Sequence, residues 1–234
     1  MGHPNIQHLD WPNALTDLSV DPVMRRIIAA VGDQRPEGRG DSFTTLARSI
    51  VGQQISTKAA DAIWSRLLAL IDSPVQAPVQ PHQILVRPHQ LSDAGLSSRK
   101  AEYLLGIARW FHESPDHDQD LASAADAELI AQLTQPPGGG RWTAEMFLIF
   151  NLMRSDVFPA DDLGVVKALE ALYPEAFDAQ NRAQPRLVRV GTAAMRARIR
   201  AFSERWAPHR SAATWLLWRS QDPTIARQLA MPMP

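Results

Sequence analysis

The sequence predicts an all-α fold, and three observations lead there. Apolar residues recur at i, i+3, i+4 and i+7 in one segment after another. No stretch alternates apolar and polar residues with a period of two. Ser or Asp stands just before several of the periodic runs, where a short polar side chain caps a helix.

The elements follow in order. A short helix is predicted over 21–31. Asp41-Ser42 caps a longer one whose apolar stripe is Phe43, Leu46, Ala47, Ile50 and Val51. After a break at Gly52, Ser56 starts a helix carrying Ala60, Ile63, Trp64, Leu67, Leu68 and Ile71. Four prolines between Pro74 and Pro88 mark a connector holding one helical turn. Ser97 or Ser98 begins the next helix, with Ala101, Leu104, Leu105, Ala108 and Phe111 on one face. The polar run from Ser114 separates it from a helix over 124–133. Further helices are predicted over 141–153, 162–172, 193–206 and 209–220. There is no internal repeat.

Composition narrows the chemistry. A chain of 234 residues without a single cysteine has no disulfide, no thiolate zinc site, no cysteine nucleophile and no cysteine-held iron–sulfur cluster. No apolar run reaches the length of a membrane span, and the start MGHPNIQHLDW lacks the basic-then-apolar order of a signal peptide. A cytoplasmic, monomeric protein with no membrane partner is expected. The seven histidines show no metal-ligand spacing, so no catalytic metal is expected either.

Charge is uneven. Between Arg182 and Arg219 stand Arg182, Arg186, Arg189, Arg196, Arg198, Arg200, Arg205, Arg210 and Arg219 against one acid, Glu204. That segment carries +8, leaving −9 on the remainder of a chain whose total is −1. A basic end of this kind suits a polyanion, although a solvated arginine-rich helix has the same composition.

The segment 141–153 is apolar nearly all round and should run through the middle of the domain. Before it stands Pro136-Pro137-Gly138-Gly139-Gly140. Such a turn, backed by a helix N-terminus, aims bare backbone N–H groups outward and suits a phosphate; it also serves simply to let two helices pack closely. Further on, Asp161 and Asp162 follow Pro159 and precede a periodic helix, so one of them is its N-cap. A carboxylate at that place is held ionised by the helix dipole and can face a developing positive charge or orient water.

The string LTQPPGGGRWTA (133–144) resembles the helix–hairpin–helix motif L-x-x-x-P-G-x-G-x-x-T-A, and VFPADDLGVVKAL after it supplies an aspartate in the place used by the helix–hairpin–helix DNA glycosylases. LARSIVGQQIS (46–56), GLSSRKAEYL (95–104) and WAPHRSAATWLLW (206–218) agree with the alkylated-base branch, the bacterial 3-methyladenine DNA glycosylase II type. The resemblance covers about residues 40–220 and leaves no room for the N-terminal β domain that many members carry. It departs from the pattern at Gly139, where Ile or Val is usual.

The resemblance implies a single glycosylase domain over 1–234 made of two helical lobes. One is a central lobe over 55–165 with the hairpin, the other 1–54 plus 166–234, with the active-site cleft between them. It implies a monofunctional DNA N-glycosylase that flips alkylated purines out of duplex DNA. The carboxylate falls to Asp162, with Asp161 as structural partner. The base pocket falls to Trp142, Met146 and His209, whose aromatic members would attract a cationic purine. Gln53 and Gln54 form the wedge loop, Gln54 at the inserted position. Gly138, Gly139, Gly140 and Thr143 grip phosphate, with no cofactor beyond a monovalent cation on the hairpin carbonyls. Bland roles fit the same residues: Trp142 as core, Gln54 as a surface residue, His209 as a helix start.

Lyase members place a lysine two residues after the last glycine of the motif, where this chain has Trp142. The remaining lysines, Lys58, Lys100 and Lys167, match no lyase position, so water is the expected nucleophile. A glycosylase for oxidised, deaminated or mismatched bases, and a non-catalytic helix–hairpin–helix DNA-binding module, are the alternatives.

Overall fold

The computed structural model describes residues 8–38, 41–113, 121–135, 140–177 and 192–230. Among them the regular structure is helical, with one isolated bridge between His8 and Arg154 and no strand. The chain forms two compact units, one containing Glu37–Leu152 and the other built from Gln7–Pro36 and Met153–Pro234.

The first unit holds α3 (Ser42–Gly52), α4 (Thr57–Leu70), α5 (Pro81–Leu85), α6 (Ser98–Glu113), α7 (Asp126–Leu133) and α8 (Arg141–Phe150). The second holds α1 (Trp11–Leu18), α2 (Pro22–Val31), α9 (Leu163–Leu172), α10 (Ala193–Ser203), α11 (Arg210–Arg219) and α12 (Pro223–Ala230).

The helix starts follow from short polar side chains. Asp10, Asp21, Asp41, Ser56, Asp162 and Thr192 each accept a hydrogen bond from a first-turn backbone N–H. Helices α1 and α12 are not predicted from periodicity. Each is 8 residues long. Their starts are nevertheless written as an acid just ahead of a proline: Asp10-Trp11-Pro12 and Asp222-Pro223. The proline-rich connector contains α5 and a 3₁₀ segment over Pro88–Ala94, more helix than the single turn expected.

In the first unit α8 runs through the core as its composition predicts, with Thr143–Phe150 all buried. It packs against α3 and α7. It stops three residues short of the predicted end, where Asn151 and Leu152 both donate to the Phe147 carbonyl and Met153 turns the chain at φ 50. The unit boundaries also differ from the lobes read from sequence, which put residues up to 54 with the C-terminal half. Leu46, Ala47 and Ile50 of α3 are fully buried, and α3 packs on α8 and α6, so the division falls before α3 and not after it. At the other boundary, residues 153–165 belong with the second unit.

In the second unit α2 packs on α11 and α12, and α9 packs on α11. One carboxylate ties distant parts of this core together. Asp21 Oδ1 accepts from the Val23 and Met24 amides, while Oδ2 accepts from Tyr173 Oη at 3.1 Å and Trp206 Nε1 at 3.3 Å. Around it Tyr173, Phe202 and Trp206 meet edge to face, with centroids 5.3–5.6 Å apart.

Candidate active site

Asp162 is the N-cap of α9. Its Oδ1 accepts two hydrogen bonds at 2.8 Å, from the Val165 amide and from the indole N–H of Trp218. The amide bond is what makes Asp a good N-cap. The indole bond is a tertiary one and fixes the rotation of the carboxylate. The chain reaches this place along α11: Ser211 donates its amide to the Ser155 carbonyl at 3.0 Å and accepts the Val157 amide on Oγ at 3.0 Å. Those bonds hold the segment leading to Asp162.

Gly164 explains how α9 and Trp218 come so close. A Cβ there would lie 3.0 Å from Asp162 Oδ1, 3.0 Å from Trp218 Cδ1 and 3.2 Å from Trp218 Nε1. Gln221 donates to the Gly164 carbonyl at 2.8 Å and closes the contact from the far side. The neighbouring Asp161 faces elsewhere, with Oδ1 3.8 Å from Arg196 and 3.7 Å from Arg200. The two adjacent aspartates are therefore distinguished by their partners. One meets arginines of α10; the other meets an indole at a helix N-terminus.

His209 does not join Asp162. Its Nε2 lies 2.8 Å from Asp17 Oδ2, and it stands at the start of α11. Trp218, which does touch Asp162, comes nine positions later on the same helix, roughly 13 Å along the axis. The aromatic partner of the carboxylate is thus Trp218, which helical spacing alone reads as a core residue. The segment WAPHRSAATWLLW ends on that indole, and its contact with Asp162 is a tertiary relation that spacing within one helix does not show.

In the first unit Gly140 is the N-cap of α8, exposed and with open space where a Cβ would stand. Half-buried Trp142 and buried Met146 are one turn apart on the same face of α8. Thr143 is 1% exposed, and its Oγ1 accepts from Gln53 Nε2 at 2.8 Å. The Thr143 side chain therefore docks a loop. Gln54, next to Gln53, is exposed and has φ 59, a left-handed conformation uncommon for a residue with a side chain. Gly138 and Gly139 lie outside the described residues, as do the hairpin carbonyls expected to hold a cation.

Among the lysines, Lys58 and Lys167 are exposed, while Lys100 Nζ donates to the Val51 carbonyl at 2.7 Å and burial lowers its pKa. The basic C-terminal stretch is less basic at its surface than its composition implies. Besides the Asp161 pairing of Arg196 and Arg200, Arg198 donates to the Ala176 carbonyl, and Arg205 lies 3.7 Å from Glu175. Arg210 holds Asp156 through two bonds at 2.7 and 2.8 Å and Glu204 at 2.5 Å. Arg219 reaches Gln34 and Asp222. Arg182, Arg186 and Arg189 lie outside the described residues. Among the described residues no cluster of three His, Asp or Glu side chains is arranged to hold a metal ion, and no helix is long and apolar enough to cross a membrane.

Known proteins are similar to this chain in sequence and in fold. Residues 47–187 match the HhH-GPD superfamily of base excision DNA repair proteins. DNA-3-methyladenine glycosylase 1 of Schizosaccharomyces pombe is 33% identical over 206 residues, which cover 86% of this chain and 83% of that protein. DNA-3-methyladenine glycosylase 2 of Escherichia coli is 26% identical over 220 residues, covering 88% of this chain and 69% of that one. The solved structure of the S. pombe 3-methyladenine DNA glycosylase in complex with abasic DNA superimposes with a TM-score of 0.72 at 30% identity, covering 91% of this chain and 98% of that one. A helical chain with the hairpin motif, an aspartate capping the helix that follows it, and similarity over most of both sequences belongs to the HhH-GPD superfamily of base excision DNA repair proteins.

Proposed function

We infer that this protein is a monofunctional DNA N-glycosylase that removes alkylated purines, of the 3-methyladenine and 7-methylguanine type, from double-stranded DNA. The observation that carries the reading is the Asp162 carboxylate, seated at a helix N-terminus and oriented by the Trp218 indole. Breaking an N-glycosidic bond places positive charge on the sugar, and a fixed carboxylate stabilises that charge as it develops. The same group orients a water for attack at C1′ and accepts its proton. Alkylation has already made the base a cationic leaving group, so little acid assistance is required on its side.

The other parts fall to the first unit. Gln54 enters the base stack where the damaged nucleotide leaves it. Trp142 offers an electron-rich face to a cationic base, an attraction of about 0.5–2 kcal/mol. Backbone N–H groups at Gly140 and the first turn of α8 hold phosphate. Strand cleavage by amine chemistry has no support. Trp142 is an indole, Lys100 is engaged at Val51, and Lys167 is five positions beyond Asp162 on α9, rotated away from its N-terminal face.

The direct test is incubation with duplex DNA treated with a methylating agent, followed by chromatography of the released bases. Free 3-methyladenine or 7-methylguanine and an intact abasic strand are expected. Release of only oxidised or deaminated bases from lesion duplexes would shift the reading to the other glycosylase class. Binding without release of any base would make the protein a DNA-binding module.

A further inference from the structure

The loop between α3 and α4 is anchored twice, once on each side of Gly52. On one side Lys100, from the first turn of α6, donates to the carbonyl of Val51 at 2.7 Å. Val51 is in the last turn of α3, where carbonyls lack intrahelical partners and a cation meets the negative end of the helix dipole. On the other side Gln53 Nε2 donates to the buried Thr143 Oγ1 of α8 at 2.8 Å. Two different helices thus grip residues 51 and 53, and the very next residue is Gln54 at φ 59, exposed. A left-handed non-glycine residue is strained and persists where its surroundings over-determine it. The two anchors are such surroundings.

We propose that Lys100 is a positioning residue for base flipping, clamping the Gly52–Ile55 loop together with Thr143 so that Gln54 is presented to the DNA stack already in its working conformation. This rests on the glycosylase reading of Gln54 as the wedge. Lys100 reaches no reacting atom in this scheme and acts only through the loop. A preformed wedge spends no DNA-binding energy on ordering itself, so its benefit is greatest where the target base is hardest to unstack.

The test compares single-turnover release of 7-methylguanine placed opposite cytosine with release of the same lesion placed opposite thymine, where pairing is already weak. Lys100→Met keeps the aliphatic stem and removes the donor; Lys100→Arg restores a cationic donor; Thr143→Val removes the second anchor with little change in shape. Lys100→Met and Thr143→Val should each slow release from the paired duplex about 10-fold or more, a loss on the scale of a misplaced positioning group. On the mispaired duplex the loss should shrink to about 3-fold or less, and Lys100→Arg should recover most of the rate. The double variant Lys100→Met/Gln54→Ala should be no slower than Gln54→Ala alone, because residues acting through one another are non-additive.

Equal losses on both duplexes, additive losses with Gln54→Ala, or an unchanged Lys100→Met would each overturn the proposal while leaving the enzyme a glycosylase. Should Lys100→Met not fold, the same pattern is read from Thr143→Val. Failure of the unmodified protein to release base from either duplex would instead remove the glycosylase reading itself.

Discussion

The indole N–H of Trp218 lies 2.8 Å from Asp162 Oδ1, although 56 residues separate the two in the chain. Together with the Val165 amide on the same oxygen, it turns a capping residue into an oriented carboxylate. Asp162→Asn retains a side-chain oxygen for the cap, so folding and DNA binding should stay near normal. Base release should fall by about 10² or more, the scale of an electrostatic group acting on the transition state. Asp161→Asn, which touches only the Arg196 and Arg200 pairing, should keep most of the rate. Single-turnover assays on methylated duplex separate the two, and the reverse order would move the assignment by one residue.

Gly164→Ala tests the same geometry without touching either partner. In an exposed helix interior the change should stabilise by up to about 1 kcal/mol through propensity. Here the new methyl meets Asp162 Oδ1 and Trp218 Cδ1 at 3.0 Å and must push them apart. Base release should drop about 10-fold or more while thermal stability changes by only about 1–2 kcal/mol, since a misplaced catalytic group is penalised more than a slightly overpacked helix start. Wild-type kinetics in this variant would show that the Trp218 contact is dispensable.

Trp142→Ala bears on base recognition. Excision of cationic bases should fall well beyond any loss of affinity for an abasic duplex, because the stacking partner matters only while a base is present. Equal losses in excision and in abasic-duplex binding would identify Trp142 as a packing residue whose removal loosens α8.

The engagement of the C-terminal arginines sets an expectation for salt. With Arg196, Arg198, Arg200, Arg205, Arg210 and Arg219 bonded to groups of their own unit, phosphate neutralisation should involve few side chains. A log–log plot of affinity against salt should be linear, with a slope that reports fewer than about five phosphates. A slope near that of a protein with ten contacts would show that these pairs open on DNA.

Tyr173 gives the alkaline limit of stability. Burial first, and then the nearby Asp21 charge and hydrogen bond, raise its pKa far above the ordinary 10.0. A raised pKa favours the protonated form in the folded state, so this contribution is complete below pH 10.0 and is lost as pH rises above it, the unfolded chain ionising first. In a Tyr103→Phe background, leaving Tyr173 as the sole tyrosine, phenolate absorbance should appear together with loss of helical circular dichroism. Absorbance rising well before unfolding would contradict the burial argument. Tyr173→Phe should cost about 1–2 kcal/mol by leaving Asp21 short of a donor.

Much of this was legible in the sequence because helix starts are local chemistry. Asp21, Asp41, Ser56 and Asp162 announce their helices within four residues, and the all-round apolar run after Arg141 announces a central one. What local chemistry lacks is register between helices. That Trp218 meets Asp162 depends on the register of α9 against α11, a relation held by the close approach at Gly164 and by the Ser211 bonds and invisible to periodicity. The internal pairing of the arginines was hidden too, because a charge count does not say which carboxylates fold back on them.

The interleaved chain path bears on how the protein is made. Arg26, on α2, donates to the carbonyl of Leu229, 203 residues later. Until then the apolar face of Met24, Ile27 and Val31 has no completed core to enter, while the contiguous stretch from Glu37 to Leu152 can collapse as soon as it emerges. Synthesis from the N-terminal side therefore leaves this amphipathic arm uncovered until the segment around Leu229 has emerged. Chains cut short before Leu229 should aggregate more readily than the 234-residue chain.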